Sequence, residues 1–100
     1  MLNLTDANFH QTINGNSKIV IDFYADWCAP CRAIAPLYQR WSEIHRNKAT
    51  FAKCNISGNP NVTENFRIGS LPTFIVLVNG LETRRFSGSI READLVAAIS

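Results

Sequence analysis

The sequence predicts an α/β fold, a central mixed β-sheet flanked by helices on both faces. Two segments of strand length, Lys18–Tyr24 (KIVIDFY) and Thr73–Val78 (TFIVLV), are dense in branched and aromatic residues. Stretches with apolar residues at helical spacing lie between and around them, and alternating strands and helices build a sheet covered on both sides. Asn79-Gly80 directly follows the second segment. That dipeptide is the strongest short hairpin signal, so an antiparallel pair joins the sheet.

In order, the elements read β-α-β-α-β-α-β-β-α. Residues 2–4 form a short first strand, and Thr5 can cap a helix carrying Phe9 and Ile13 on one face. Residues 14–17 (NGNS) are a turn signal ahead of the first strong strand. Over 28–47, Ile34, Leu37, Tyr38, Trp41 and Ile44 keep the helical spacing of an amphipathic stripe. Pro30 suits the first turn of that helix, where its missing N–H is harmless, and Pro36 predicts a kink. Residues 50–56 read as another strand and 59–66 as a short helix or turn. TFIVLV is apolar on both faces, as a central strand is, and 82–87 returns antiparallel to it. Ser89 with Glu92 forms a capping box for a last helix bearing Leu95, Val96 and Ile99.

At 100 residues the chain has the length of one domain, 1–100, and a radius of gyration of about 13 Å is expected if it is compact. Apolar content of 46% against 18% charged fits a globular protein. The net charge is only +2 and Arg84-Arg85 is the sole basic pair, so nucleic acid is not an expected partner. No apolar run approaches the roughly 18 residues of a membrane span, and MLNLTDANFH has neither the basic nor the apolar region of a secretory signal. A cytoplasmic protein, away from membranes, is expected. Three cysteines are odd in number and too few for a disulfide scaffold.

Cys28 and Cys31 stand two residues apart where a strand-loop becomes a helix. At a helix N-terminus, unpaired N–H groups and the dipole favour a thiolate at Cys28, and the thiolate is the species that attacks a disulfide. Cys31, one turn inward, can then resolve the mixed disulfide. Zinc is the main rival, but a closed structural site needs four ligands, and Cys54, His10 and His45 supply no second CxxC or HxxxH spacing. Attached haem requires a His after the second cysteine, where Arg32 stands. A purely structural disulfide is the remaining alternative.

With these motifs in register, the chain resembles the thioredoxin family over nearly its whole length. VIDFYADWCAPC is similar to the family's strand and active-site loop, which normally ends Trp-Cys-Gly-Pro-Cys, and IGSLPTFIVLVNG to its later proline–strand segment. Pro36, Lys53, Gly80 and Gly88 also match in order and approximate spacing. The resemblance implies a thioredoxin fold in which Cys28 is the nucleophile and Cys31 the more buried resolving thiol. It implies a cis-proline at Pro72, although local preference alone favours trans. Backbone groups at Leu71 would pair with an extended substrate segment. Trp27, Ala29, Pro30, Leu71, Pro72 and Gly88 would form an apolar docking surface around an exposed Cys28 sulfur.

Asp22 shares a strand face with Val20 and Tyr24, so its carboxyl group is expected to be buried with a raised pKa. Near Cys31 it would accept the resolving thiol's proton, perturbed in the other direction by Lys53. The bland reading is a core acid held by an ion pair with Lys53. The implied activity is reduction of target disulfides, with no bound cofactor or metal; a flavoprotein reductase of the thioredoxin reductase type would recharge the monomer with NADPH. An oxidant or isomerase on the same fold, and a non-catalytic docking subunit, are the alternatives. Ala29 stands where the family has Gly, which removes loop freedom and shifts the potential slightly. Tyr24 replaces a frequent Trp. Cys54 reads as a buried, inert thiol, with regulatory thiol as the alternative. His45 reads as a solvated helix end, His10 and Asp26 as surface groups, and Trp41 and Phe74 as core.

Overall fold

A computed structural model describes residues 1–100. Along the chain run β1 (Leu2–Asn3), α1 (Phe9–Asn14), β2 (Lys18–Tyr24), α2 (Ala29–Ile44), β3 (Thr50–Asn55), α3 (Pro60–Asn65), β4 (Thr73–Val78), β5 (Leu81–Ser87) and α4 (Glu92–Ile99), in the predicted order. The Cα radius of gyration is 12.2 Å.

The strands form one sheet in the order β1-β3-β2-β4-β5. β1 and β2 both lie parallel to β3, whereas β4 is antiparallel to β2 and to β5. Parallel neighbours need a crossover, which α2 provides between β2 and β3. β4 and β5 need only a turn. Asn79 (φ 51°) and Gly80 (φ 81°) both adopt positive φ, the combination a type I′ hairpin demands.

Central position makes β2 and β4 buried on both faces, so their residues alternate between two cores. Ile19, Ile21 and Phe23 of β2 pack with Ile75 and Leu77 of β4 against Phe9 of α1 and Val62 of α3. Val20, Phe74 and Val76 face the other way, against Tyr38 and Trp41 of α2 and Leu95 and Ile99 of α4. Each fully buried aliphatic or phenyl side chain contributes about 1.5–3 kcal/mol. The Tyr38 hydroxyl reaches the seam between β2 and β3, donating to the Ala52 carbonyl at 2.8 Å with the Val20 carbonyl at 3.2 Å.

Helix ends depart from the sequence expectation. α1 begins after Asn8, not Thr5, whose carbonyl instead accepts the Phe9 N–H at 2.9 Å across a turn. α4 begins after Arg91 with no side-chain cap. The backbone remains extended at Arg91 (φ −94°, ψ 148°) while Ile90 is drawn into the core, so Ser89 lies too early for its capping box. α3 is capped from across the fold: Asp6 Oδ1 and Oδ2 accept the N–H groups of Val62 and Asn61 at 2.9 and 3.2 Å. Along α2, Tyr38 and Trp41 are buried, but Leu37 and Ile44 are 46% and 59% exposed. They lie roughly a quarter turn from the centre of the buried side, beyond the reach of the sheet. His45 is not a solvated end. Its Nε2 lies 2.8 Å from the Glu92 carboxylate and its side chain is only 12% exposed, because α4 packs beside α2. His10 is exposed, as expected.

Candidate active site

β2 leaves the sheet at Tyr24, and the buried Ala25 accepts the Cys28 N–H at 3.1 Å. This tight turn pushes Asp26 and Trp27 outward, and Trp27 is 71% exposed. Cys28 is the N-cap of α2, in extended backbone (φ −89°, ψ 109°), and its Sγ accepts the Cys31 N–H at 3.2 Å. The sequence spacing thus puts one sulfur where first-turn N–H groups converge, the arrangement that stabilises a thiolate. The two cysteines are joined as a disulfide with Cα atoms 5.2 Å apart. Cys28 is 6% exposed and Cys31 3%. Cys31 is the more buried, as expected, but the Cys28 residue is far less open than expected, because Ile56 and Leu71 pack against the loop.

Leu71–Pro72 is a cis peptide, as the family resemblance implied against the local preference. Pro72 is buried, and its carbonyl accepts the Gly88 N–H at 2.8 Å. Gly88 takes φ 83°, a conformation suited to glycine, so the end of β5 pins the proline loop beside the disulfide. Leu71 makes no backbone–backbone hydrogen bond and remains able to pair with an added strand. Ala29 and Pro30 are exposed, and Leu71 and Gly88 are half-buried.

Asp22 is 4% exposed, and its register neighbours are Lys53 on β3 and Phe74 on β4. Burial pushes its carboxyl pKa up to about 7, partly offset by the Lys53 charge. Oδ1 has no hydrogen-bond partner in the fold. Such an atom is expensive unless it is neutral or meets solvent. A cavity of about 520 Å³ supplies the route: Asp22, Cys31 and Lys53 share its walls with Tyr24, Arg32 and Gln39. The Lys53 ammonium also lies 5.9 Å from the Tyr24 ring centroid. The structure therefore brings Asp22, Lys53 and Cys31 to one solvent-reachable chamber behind the disulfide.

Sequence reasoning missed the Arg32 and Gln39 walls of that chamber, and also a second trough formed by Pro30, Ala33, Ile34, Leu37, Pro72 and Ser89. The i, i+3, i+4, i+7 spacing of the four helical members was the available signal. Asp26 is an exposed loop residue whose carbonyl accepts an Arg32 N–H at 2.7 Å. Cys54 is fully buried on β3, and burial, followed by the Asp6 charge, raises its thiol pKa to about 11. No group of three or more His, Cys, Asp or Glu side chains is placed to hold a metal ion, and no helix is long and apolar enough to cross a membrane.

A mixed sheet with helices on both faces, a CxxC disulfide capping the first long helix and a cis-proline beside it define a domain for dithiol–disulfide exchange. Comparison with known proteins agrees. The thioredoxin family model matches residues 1–100. The chain is 39% identical to the thioredoxin of Alicyclobacillus acidocaldarius, over 99% of this chain and 94% of that one. It is 32% identical, over 99% of its length, to part of a bifunctional thioredoxin reductase/thioredoxin of Mycobacterium leprae, spanning 22% of that longer protein. The solved structure of Plasmodium falciparum thioredoxin superposes with a TM-score of 0.89 at 33% identity, covering 98% of this chain and 96% of that one. The chain belongs to the thioredoxin family. It is a thiol–disulfide oxidoreductase, a protein-disulfide reductase with Cys28–Cys31 at the family's active-site position, and the family carries no prosthetic group.

Proposed function

We propose that the chain works as a monomeric cytoplasmic reductant of protein disulfides, with Cys28 as nucleophile and Cys31 as resolving thiol. The Cys28 thiolate attacks one sulfur of the target disulfide. A Cys28–target bond forms, the target S–S bond breaks, and the departing thiolate takes a proton from solvent. Asp22 then accepts the Cys31 proton through the shared chamber, with Lys53 holding its pKa near neutrality. Cys31 attacks Cys28 Sγ, closing the intramolecular disulfide and releasing the second target thiolate. Two electrons pass from the protein to the target.

Trp27, Ala29, Pro30, Leu71, cis-Pro72 and Gly88 receive the target as an added strand. A flavoprotein reductase returns the electrons from NADPH; the Mycobacterium leprae relative, which joins a thioredoxin reductase to a thioredoxin, supports this partner. The observation that carries the reading is the Cys28–Cys31 pair capping α2 with Leu71 and the cis-proline loop alongside. Equilibration in dithiothreitol buffers tests it. A potential near −270 mV, about the value already known for thioredoxin, is expected. A value near about −180 mV or above would make the protein an oxidant or isomerase and remove the cytoplasmic assignment.

A further inference from the structure

The second trough lies outside the chemistry just described. Its volume is about 280 Å³, and its six walls, Pro30, Ala33, Ile34, Leu37, Pro72 and Ser89, include no charged side chain. Single exposed apolar residues are ordinary. Here Pro30, Ala33 and Leu37 are all exposed in one line along α2, and Ile44 extends the line two turns further. Of its walls, Pro30 lies between the two cysteines and Pro72 follows Leu71, which packs against them, so the trough is continuous with the exchange site.

We propose that this trough selects targets by taking a large aliphatic or aromatic side chain of the extended target segment, two residues from the cysteine that Cys28 attacks. The proposal rests on the thiol-exchange reading. A segment added along Leu71 is a strand, so its side chains alternate, and the residue two positions from the attacked cysteine faces the same surface about 7 Å away. Along α2 the trough runs about 10 Å from Pro30 to Leu37, so its near half at Ala33 and Ile34 lies within that reach and a large side chain spans the remainder to Leu37. Ser89 is the only polar wall, so a carboxylate or ammonium entering the trough would lose hydration without a charged partner. Leu37 and Ala33 are specificity-determining positions here. They touch the target, not the reacting sulfurs.

The experiment uses short peptides whose single cysteine is disulfide-linked to a common reporter thiol, differing only in Leu, Phe, Ser or Asp two positions before or after it. On one flank, kcat/KM for Leu and Phe is expected to exceed that for Asp by about ten-fold, the discrimination typical of an open apolar site. Leu37→Ser, which removes the apolar wall without adding a charge, should abolish that ratio. Ala33→Leu, which fills the trough from an exposed helical position, should move the preference toward Ser. Equal kcat/KM across the wild-type series, or a ratio unchanged in both variants, would overturn the trough while leaving exchange intact. Reduction of no peptide at all would overturn both.

Discussion

Replacing Asp22 by Asn separates the stability and chemistry of the buried carboxyl group. The native pKa is about 7 against an ordinary 3.8. Below pH 3.8 both folded and unfolded forms carry the proton, and the group contributes no difference. Between 3.8 and about 7 the unfolded chain releases its proton while the folded chain retains it. The native state therefore binds more protons, and stability falls as pH rises through that window. Above it the penalty levels at about 4 kcal/mol, the free-energy equivalent of a pKa raised from 3.8 to about 7. Asn keeps the shape and removes the charge. Urea unfolding of the oxidised protein should show Asp22→Asn more stable by about 4 kcal/mol at pH 8.5, with the gain shrinking almost to nothing at pH 4. A gain independent of pH would mean that Asp22 does not titrate between those limits in the folded protein, and the proton-acceptor role would fall with it.

Resolution of a mixed disulfide on Cys28 should rise with pH through about 7 in the wild type. In Asp22→Asn that inflection should move toward the ordinary thiol range of about 8.5, as followed by stopped-flow fluorescence of Trp27. Cys31→Ser should stall targets as mixed disulfides visible on non-reducing gels; release at the wild-type rate would remove Cys31 as the resolving thiol. Asp6→Ala strips two N–H acceptors from the first turn of α3 and should lower stability by about 1 kcal/mol in urea, whereas a neutral result would make the cross-fold cap incidental. Cys54, buried with a thiol pKa of about 11, should resist iodoacetamide at pH 8 until the protein is unfolded; mass-spectrometric labelling of the native state would instead support a regulatory thiol.

Several features were legible because their causes are local. Asn79-Gly80 reads as a hairpin since both residues tolerate the positive φ they adopt. Asp22 reads as buried because alternation along a strand assigns it to the Val20 face whatever packs there. Cys28 reads as a helix cap because a CxxC followed by helical spacing leaves it at the boundary.

Other features depend on residues distant in the chain. Thr5 and Ser89 have the chemistry of caps, yet the turn before Phe9 and the burial of Ile90 moved both helix starts. The cap of α3 came from Asp6, more than fifty residues earlier. Leu37 and Trp41 fit the same helical stripe, and only the width of the sheet decided that one is core and the other a trough wall. His45 acquired Glu92 as a partner because α4 docks beside α2. By itself, the sequence determined the order of elements, the redox pair and the buried acid, since periodicity and turn chemistry act between neighbours. Only the tertiary structure decided the sheet order β1-β3-β2-β4-β5, the chamber joining Asp22 to Cys31 and the trough beside Pro72. Those are enclosed by side chains from separate elements, and no local preference specifies which surfaces meet.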